Sequence, residues 1–475
     1  MNEPKFNKSE EQSSPIEKRT GTYRKIQIIA FFLALFVLAG ISWIIPLHPT
    51  VSEAEKRELA AFPTFSAEAL ASGDYFDGIN AWFADTFPFR DTFVTLNTKF
   101  RGLLSFGETS VHGTVDEGDA IPDQPVKPPV DPVAPVDPDT STEETVPPEQ
   151  PPAPPEPPKE PEHQITEPDM TDVPVETLGA ILIVGNAAYE YYGFSQEAAD
   201  IYVNAVNRAA ALLDGKAKVY DMIVPTSMDI TLPASVRKNV NSSDQRKAMD
   251  YFFSAFSDQV NKVDIYDTLR NHRDEYIFYR TDHHWTALGA YYAYRDYCAA
   301  RGTVPADLET AYTKAEYPGF TGSFYFDSGK KAALADADTI TAYIPKDTNH
   351  ADIIQTNGDP LNWQVVTDVT NWKNGAKYST FIGGDNPWTV IQNPNKTDGS
   401  ACIVIKESFG NAFVPFLVPD YQTVYVIDYR YFHKIKSQKL TEVVAQTGAQ
   451  DVLFINNISA TRNKSLMSAV ANLVG

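Results

Sequence analysis

Residues 401–413 read ACIVIKESFGNAF, an unbroken apolar run that enters Glu407, Ser408 and a Gly-Asn turn before apolar sequence resumes. A strand with no polar alternation is buried on both faces, the condition of a parallel sheet covered by helices. Two similar runs follow, TVYVID at 423–428 and DVLFIN at 451–456, with helical patterning between and after them. The C-terminal part therefore reads β, α, β, α, β, α. Upstream, GAILIVG (179–185), a helical stretch from Gln196 to Leu213 and KVYDMIVP (218–225) extend the alternation. VDIYD (263–267) and YIFYR (276–280) read as further strands, so the expected class is an α/β domain on a mainly parallel sheet. Residues 303–400 read as a β-rich insertion, with DIIQT, NWQVVTD, YSTFIGG and WTVIQN as short strands.

The chain has 475 residues and a formal net charge of -22, which excludes nucleic acid as a partner and disfavours anionic headgroups. Its two cysteines, Cys298 and Cys402, exclude a disulfide framework and a cysteine zinc site. Two buried free thiols or one disulfide remain open. Residues 26–47, IQIIAFFLALFVLAGISWIIPL, carry no charge and are long enough to cross a bilayer. Lys18, Arg19, Arg24 and Lys25 precede them, so the positive-inside rule puts residues 1–25 in the cytoplasm and the rest outside. Residues 48–115 read as a membrane-proximal helical segment. Residues 116–174 hold roughly half of the 34 prolines and a net charge of about -14. Such sequence cannot build a core and favours extended polyproline, so it reads as a disordered acidic spacer before a domain at 175–475.

Candidate chemistry lies at two strand ends. YIFYR runs into Asp282-His283-His284-Trp285, with a helix beginning near Thr286. In open α/β sheets sites assemble at the C-terminal ends of strands. Asp282 can fix the tautomer of His284, leaving its other nitrogen as a general base. Ser408 sits on a strand-to-helix turn, which exposes a nucleophile beside helix N-terminal amides. By spacing alone the serine is equally a helix cap and Asp-x-His a loop hydrogen bond. A metal held by Asp282, His283 and His284 is disfavoured because adjacent residues on an extended strand point apart. No metal or cofactor is expected.

These residues together resemble the bacterial DHHW family, similar to the SGNH-hydrolase-like proteins of alginate O-acetylation. The resemblance rests on the motif at 282–285, the Asp85–Arg90 stretch, GAILIVG, IVPTS (223–227), KESFGNAF (406–413), VIDYRYF (426–432) and DVLFINN (451–457). It implies a triad of Asp282, His284 and Ser408 on a circularly permuted, flavodoxin-like three-layer fold. Glu407 departs from the family's usual Asp before the serine. Besides the Ser408 N–H, Asn457 or Asn456 is the implied oxyanion donor, with Arg430 and Tyr431 at the mouth. Gly383-Gly384-Asp385-Asn386 resembles a Gly-Gly-Asn loop of the family with an Asp inserted.

The expected function is transfer of an acyl group, acetyl by resemblance, to or from a cell-surface glycan, with a membrane-bound O-acyltransferase as the implied partner. A plain esterase uses the same residues. The reading from another class is a catalytically inactive glycan-binding or scaffold protein of an envelope O-acetylation system.

Overall fold

The computed structural model describes residues 173–475 without a break, with residues 118–122, 165, 168 and 170 and short stretches between 51 and 83. The chain divides into two units, Met1–Phe100 and Arg101–Gly475. In the first, Val51–Ser52 (β1) pairs antiparallel with Arg57–Glu58 (β2), and Phe62 meets Trp82 edge-on at 4.9 Å. Residues 26–47 and 85–90 lie outside the described residues, among which no helix is long and apolar enough to cross a membrane.

The second unit is built on an eight-stranded sheet in the order β11-β10-β12-β14-β13-β15-β6-β7. Its parallel half comprises Lys218–Val224 (β6), Val260–Lys262 (β7), Ala401–Lys406 (β13), Thr423–Asp428 (β14) and Asp451–Asn457 (β15). All residues of β13 and β15 are buried, as their uninterrupted apolar pattern requires. The helix Gln196–Leu212 (α1) is capped by the Ser195 side chain and turns Ala198, Tyr202, Ala205 and Ala209 inward. Further helices are Gln245–Ala255 (α2), Ala287–Arg301 (α3), Leu440–Thr447 (α4) and Lys464–Val474 (α5). Adjacent β6 residues point to opposite faces: Asp221 takes the Tyr202 hydroxyl of α1, and Tyr220 meets Tyr297 of α3 at 5.2 Å. Helices thus cover both faces.

Several strand readings need correction. GAILIVG supplies not a parallel strand but the middle strand, Ile181–Val184 (β4), of a separate antiparallel sheet with Val175–Leu178 (β3) and Ala187–Glu190 (β5). Gly179 and Gly185, both at positive φ, fold it back on its neighbours at each end. VDIYD falls after β7 and runs into the helix Tyr266–Asn271. YIFYR forms no strand. Its Ile277, Phe278 and Tyr279 are buried in a loop whose backbone bonds to residues just ahead, Tyr279 N–H to His284 O and Thr286 N–H to Ile277 O, with one isolated bridge between Phe278 and Trp285.

The β-rich region is not set apart from the sheet. His350–Ile354 (β10), Pro360–Gln364 (β11) and Trp388–Gln392 (β12) extend it with antiparallel strands, while Tyr312–Phe320 (β8) and Asp338–Pro345 (β9) form a separate hairpin. YSTFIGG (378–384) forms no strand: its first three residues end the 3-10 turn Asn374–Thr380, and Phe381 makes an isolated bridge to Val366.

The boundaries of the spacer also change. Asp119 N–H donates to Phe194 O, its carboxylate accepts from the Gln196 N–H that opens α1, and Ile121 packs on the core. Met170 and Val173 pack beside Tyr191. Described residues on both sides of the proline-rich stretch therefore contact the same unit at points a few residues apart, Phe194 and Tyr191. Apolar residues among the prolines carry these anchors, and composition averages over them.

Candidate functional site

After Lys406 the chain turns through Glu407, Ser408 and Phe409 into the short helix Gly410–Phe413. A Cβ at Gly410 would stand 2.6 Å from Lys406 Cβ, so this turn admits only glycine without rearrangement. Counted from β13 through β14, β15, β6 and β7, the parallel strands lie in the order 2-1-3-4-5. Ser408 leaves the first of them and Asn457 ends the third, which places the turn at the topological switch point of the sheet.

The 282–285 loop meets it there. Asp282 is buried, and its Oδ1 accepts the His284 backbone N–H at 3.0 Å and stands 2.5 Å from His284 Nδ1. Its Oδ2 accepts the Ser323 N–H at 2.7 Å. With Nδ1–H directed at the carboxylate, His284 Nε2 presents its lone pair to the Ser408 hydroxyl 2.7 Å away. The imidazole stacks on Tyr378 at 3.9 Å and 14°, and the Tyr378 hydroxyl donates to Ser408 O. Trp285, fully buried, donates its indole N–H to Phe409 O and ties the two loops together.

Glu407 is a second carboxylate at the serine. Its Oε2 stands 3.1 Å from Ser408 Oγ, as a second, more distant acceptor competing with His284 Nε2 for the one hydroxyl proton, and accepts the Phe409 N–H at 3.2 Å, while its Oε1 accepts the Asn457 N–H at 2.9 Å. The departure from the family pattern thus fastens the serine turn to the end of β15. The Ser408 N–H itself has no acceptor among the described residues. The asparagine amides are committed elsewhere: Asn456 bridges the Tyr429 and Tyr202 hydroxyls, and Asn457 Nδ2 donates to Val224 O.

Arg430 borders the turn. Its guanidinium pairs with Asp428 and, at 3.0 Å, with Asp385, and lies 5.3 Å from the Tyr431 ring. Lys406, wholly buried, reaches Asp428 at 2.9 Å and Asp385 at 3.4 Å. Desolvation alone would raise the Asp385 carboxyl, but Arg430 and Lys406 outweigh it and hold it well below the usual carboxylate range. Its Oδ1 also accepts from Asn411 Nδ2.

Three residues escaped the sequence reading as site components, and a fourth, Asp385, was singled out there only as part of its turn. Gly322 lies so close to Asp282 that a Cβ would stand 2.1 Å from Asp282 Cβ. Buried Asp338 holds the loop through the Thr281 N–H and hydroxyl and through Tyr276 and Arg280. Tyr378 and Asp385 complete the set; only Asp385, in its Gly-Gly-Asp-Asn turn, carried a local signal. Asp282, His283 and His284 offer ligand atoms within 4.8 Å of one another. Hydrogen bonds already occupy both Asp282 oxygens, both His284 nitrogens and, through Ser323, His283 Nδ1. Cys298 and Cys402 are free and buried.

No curated protein matches the chain. A DHHW family protein from Eubacterium siraeum is similar, with 28% identity over 63% of this chain and 98% of that one, at a TM-score of 0.57. Bacillus cereus PatB1 shares 18% identity over 62% and 99% of the two chains, with a TM-score of 0.50, a likeness of fold. The O-acetyltransferase domain of Pseudomonas putida AlgJ, at 13% identity over 62% and 96%, has a TM-score of 0.33, too loose to carry an argument. The family described as DHHW protein matches residues 55–131 and 159–427, most of the length, omitting 132–158 within the proline-rich stretch; the chain belongs to that family.

Proposed function

We propose that this protein is a serine-dependent acyltransferase or esterase acting on a cell-surface polysaccharide. The observation that carries the reading is the unbroken hydrogen-bond chain from Ser408 Oγ through both nitrogens of His284 to Asp282 at the switch point of the sheet. Ser408 Oγ attacks the acyl carbonyl carbon while His284 Nε2 takes its proton. Asp282 stays ionised and steadies the imidazolium, as does the Tyr378 ring face. Collapse returns the proton to the departing oxygen and leaves an ester on Ser408. An acceptor hydroxyl or water then gives its proton to His284 and takes the acyl group. The Ser408 N–H is the available oxyanion donor.

Acetyl as the acyl group and a membrane-bound O-acyltransferase as donor follow from the resemblance of the motifs. The strand order fits a circular permutation of the flavodoxin-like 2-1-3-4-5 sheet. Residues 26–47 as an anchor would hold the second unit outside the cell. The scaffold reading draws on Asn456 and Asn457, whose amides are committed away from the serine.

The test is hydrolysis of p-nitrophenyl acetate by the full-length protein beside Ser408→Ala and His284→Ala, with mass detection of an acetyl adduct. Each variant is expected to lose activity by about 10³-fold or more with unchanged thermal stability. Absence of turnover and adduct in the folded parent protein would favour the scaffold reading.

A further inference from the structure

The sequence Tyr429–Lys439 holds Arg430, Lys434, Lys436 and Lys439 and no acidic residue, in a chain whose net charge is -22. This segment forms one wall of a cleft of about 410 Å³, and α5 forms the other. His433, Lys436 and Lys439 line the first wall, and Ser465, Ser468 and Asn472 face them. No Asp or Glu is among the residues that line it. The two lysines of the cleft are held in place: Lys436 Nζ lies 4.4 Å from the Trp388 ring centroid, and Lys439 Nζ donates to Asn472 O.

We infer that this cleft binds an anionic sugar unit, one bearing a carboxylate or a phosphate, of the glycan the protein engages. Ordered ammonium groups supply the charge complement, while hydroxyl and amide groups opposite suit a polyhydroxylated ring. A concave site also suits a sugar unit better than a lipid surface. The same segment borders the serine turn: Arg430 pairs with Asp385, Asp385 takes the Asn411 amide, and the Asn411 N–H donates to Ser408 O. Binding is read without turnover, so the inference stands or falls apart from the acyl-transfer reading.

The experiment measures binding of fluorescent oligogalacturonate, oligo(glycerol phosphate) and a neutral glucan of equal length to the full-length protein at two salt concentrations, beside phosphatidylglycerol vesicles. At least one anionic oligomer is expected to bind 10-fold or more tighter than the glucan, with affinity falling as salt rises. The preferred oligomer tells carboxylate from phosphate. Lys436→Gln with Lys439→Gln should weaken that binding about 10-fold and leave p-nitrophenyl acetate hydrolysis unchanged. Ser468→Glu, on the opposite wall, should do the same without touching the lysine contacts. Equal binding of the neutral glucan, binding indifferent to both variants, or binding to the vesicles alone would overturn the inference.

Discussion

Both ends of the parallel strands hold a buried charged cluster, and the two clusters differ in what they leave over. At the N-terminal ends, Arg301 lies between Asp420 and Asp451, under the Tyr421 ring at 4.3 Å, while Tyr421 donates to Asp451 and Tyr294 to Asp420. There each charge meets its opposite. At the C-terminal ends, Lys406, Arg430, Asp385 and Asp428 are equally paired, yet among the described residues the buried Asn411 Oδ1 beside them has no partner and the Ser408 N–H no acceptor. A satisfied network holds strands in register; a network with spare polar groups has capacity for a substrate.

The widest separation should come from Arg301→Met. Stranding two carboxylates costs about 3–5 kcal/mol, so urea unfolding should shift strongly while activity per folded molecule stays unchanged. Loss of activity at unchanged stability would break the comparison. Gly322→Ala tests the other end. Its methyl must displace Asp282, and a 1 Å displacement is expected to lower kcat about 10²-fold, with a smaller loss in thermal stability. Activity near that of the parent would show that the Asp282 position is not critical.

Asp221 sharpens the contrast by the smallest amount. Burial pushes its carboxyl up to about 7, partly offset by the Tyr202 hydroxyl, and its Oδ1 has no partner. Between about pH 4 and 7 the folded chain keeps a proton that the unfolded chain has released, so this group's stabilising contribution falls as pH rises through that window. Asp221→Asn should remove that slope and leave the chain more stable than the parent at pH 8, read by denaturation at pH 5 and 8. An unchanged slope would place the titration elsewhere.

Much of the parallel half was legible because β13, β14 and β15 are buried on both faces, so local composition alone marks them. The motif at 282–285 and the serine turn were visible as residues, but YIFYR misled. Ile277, Phe278 and Tyr279 are as buried as strand residues, and an apolar pattern reports burial without saying where backbone hydrogen bonds go. GAILIVG failed likewise, its flanking glycines being the signal that it turns back at both ends. The spacer was read from prolines and charge, which say nothing of where its ends are fastened.

Sequence by itself determined that an apolar strand delivers Ser408 to a turn, that Asp282 stands two residues before His284, and that the chain belongs with proteins sharing these motifs. Tertiary structure alone decided that Asp338, Gly322 and Tyr378 hold those groups in place, and that Glu407 reaches both the serine and the end of β15. The physical reason is reach. Strand burial is set by neighbours along the chain, whereas His284 and Ser408 stand 124 residues apart and meet only when the sheet brings them together.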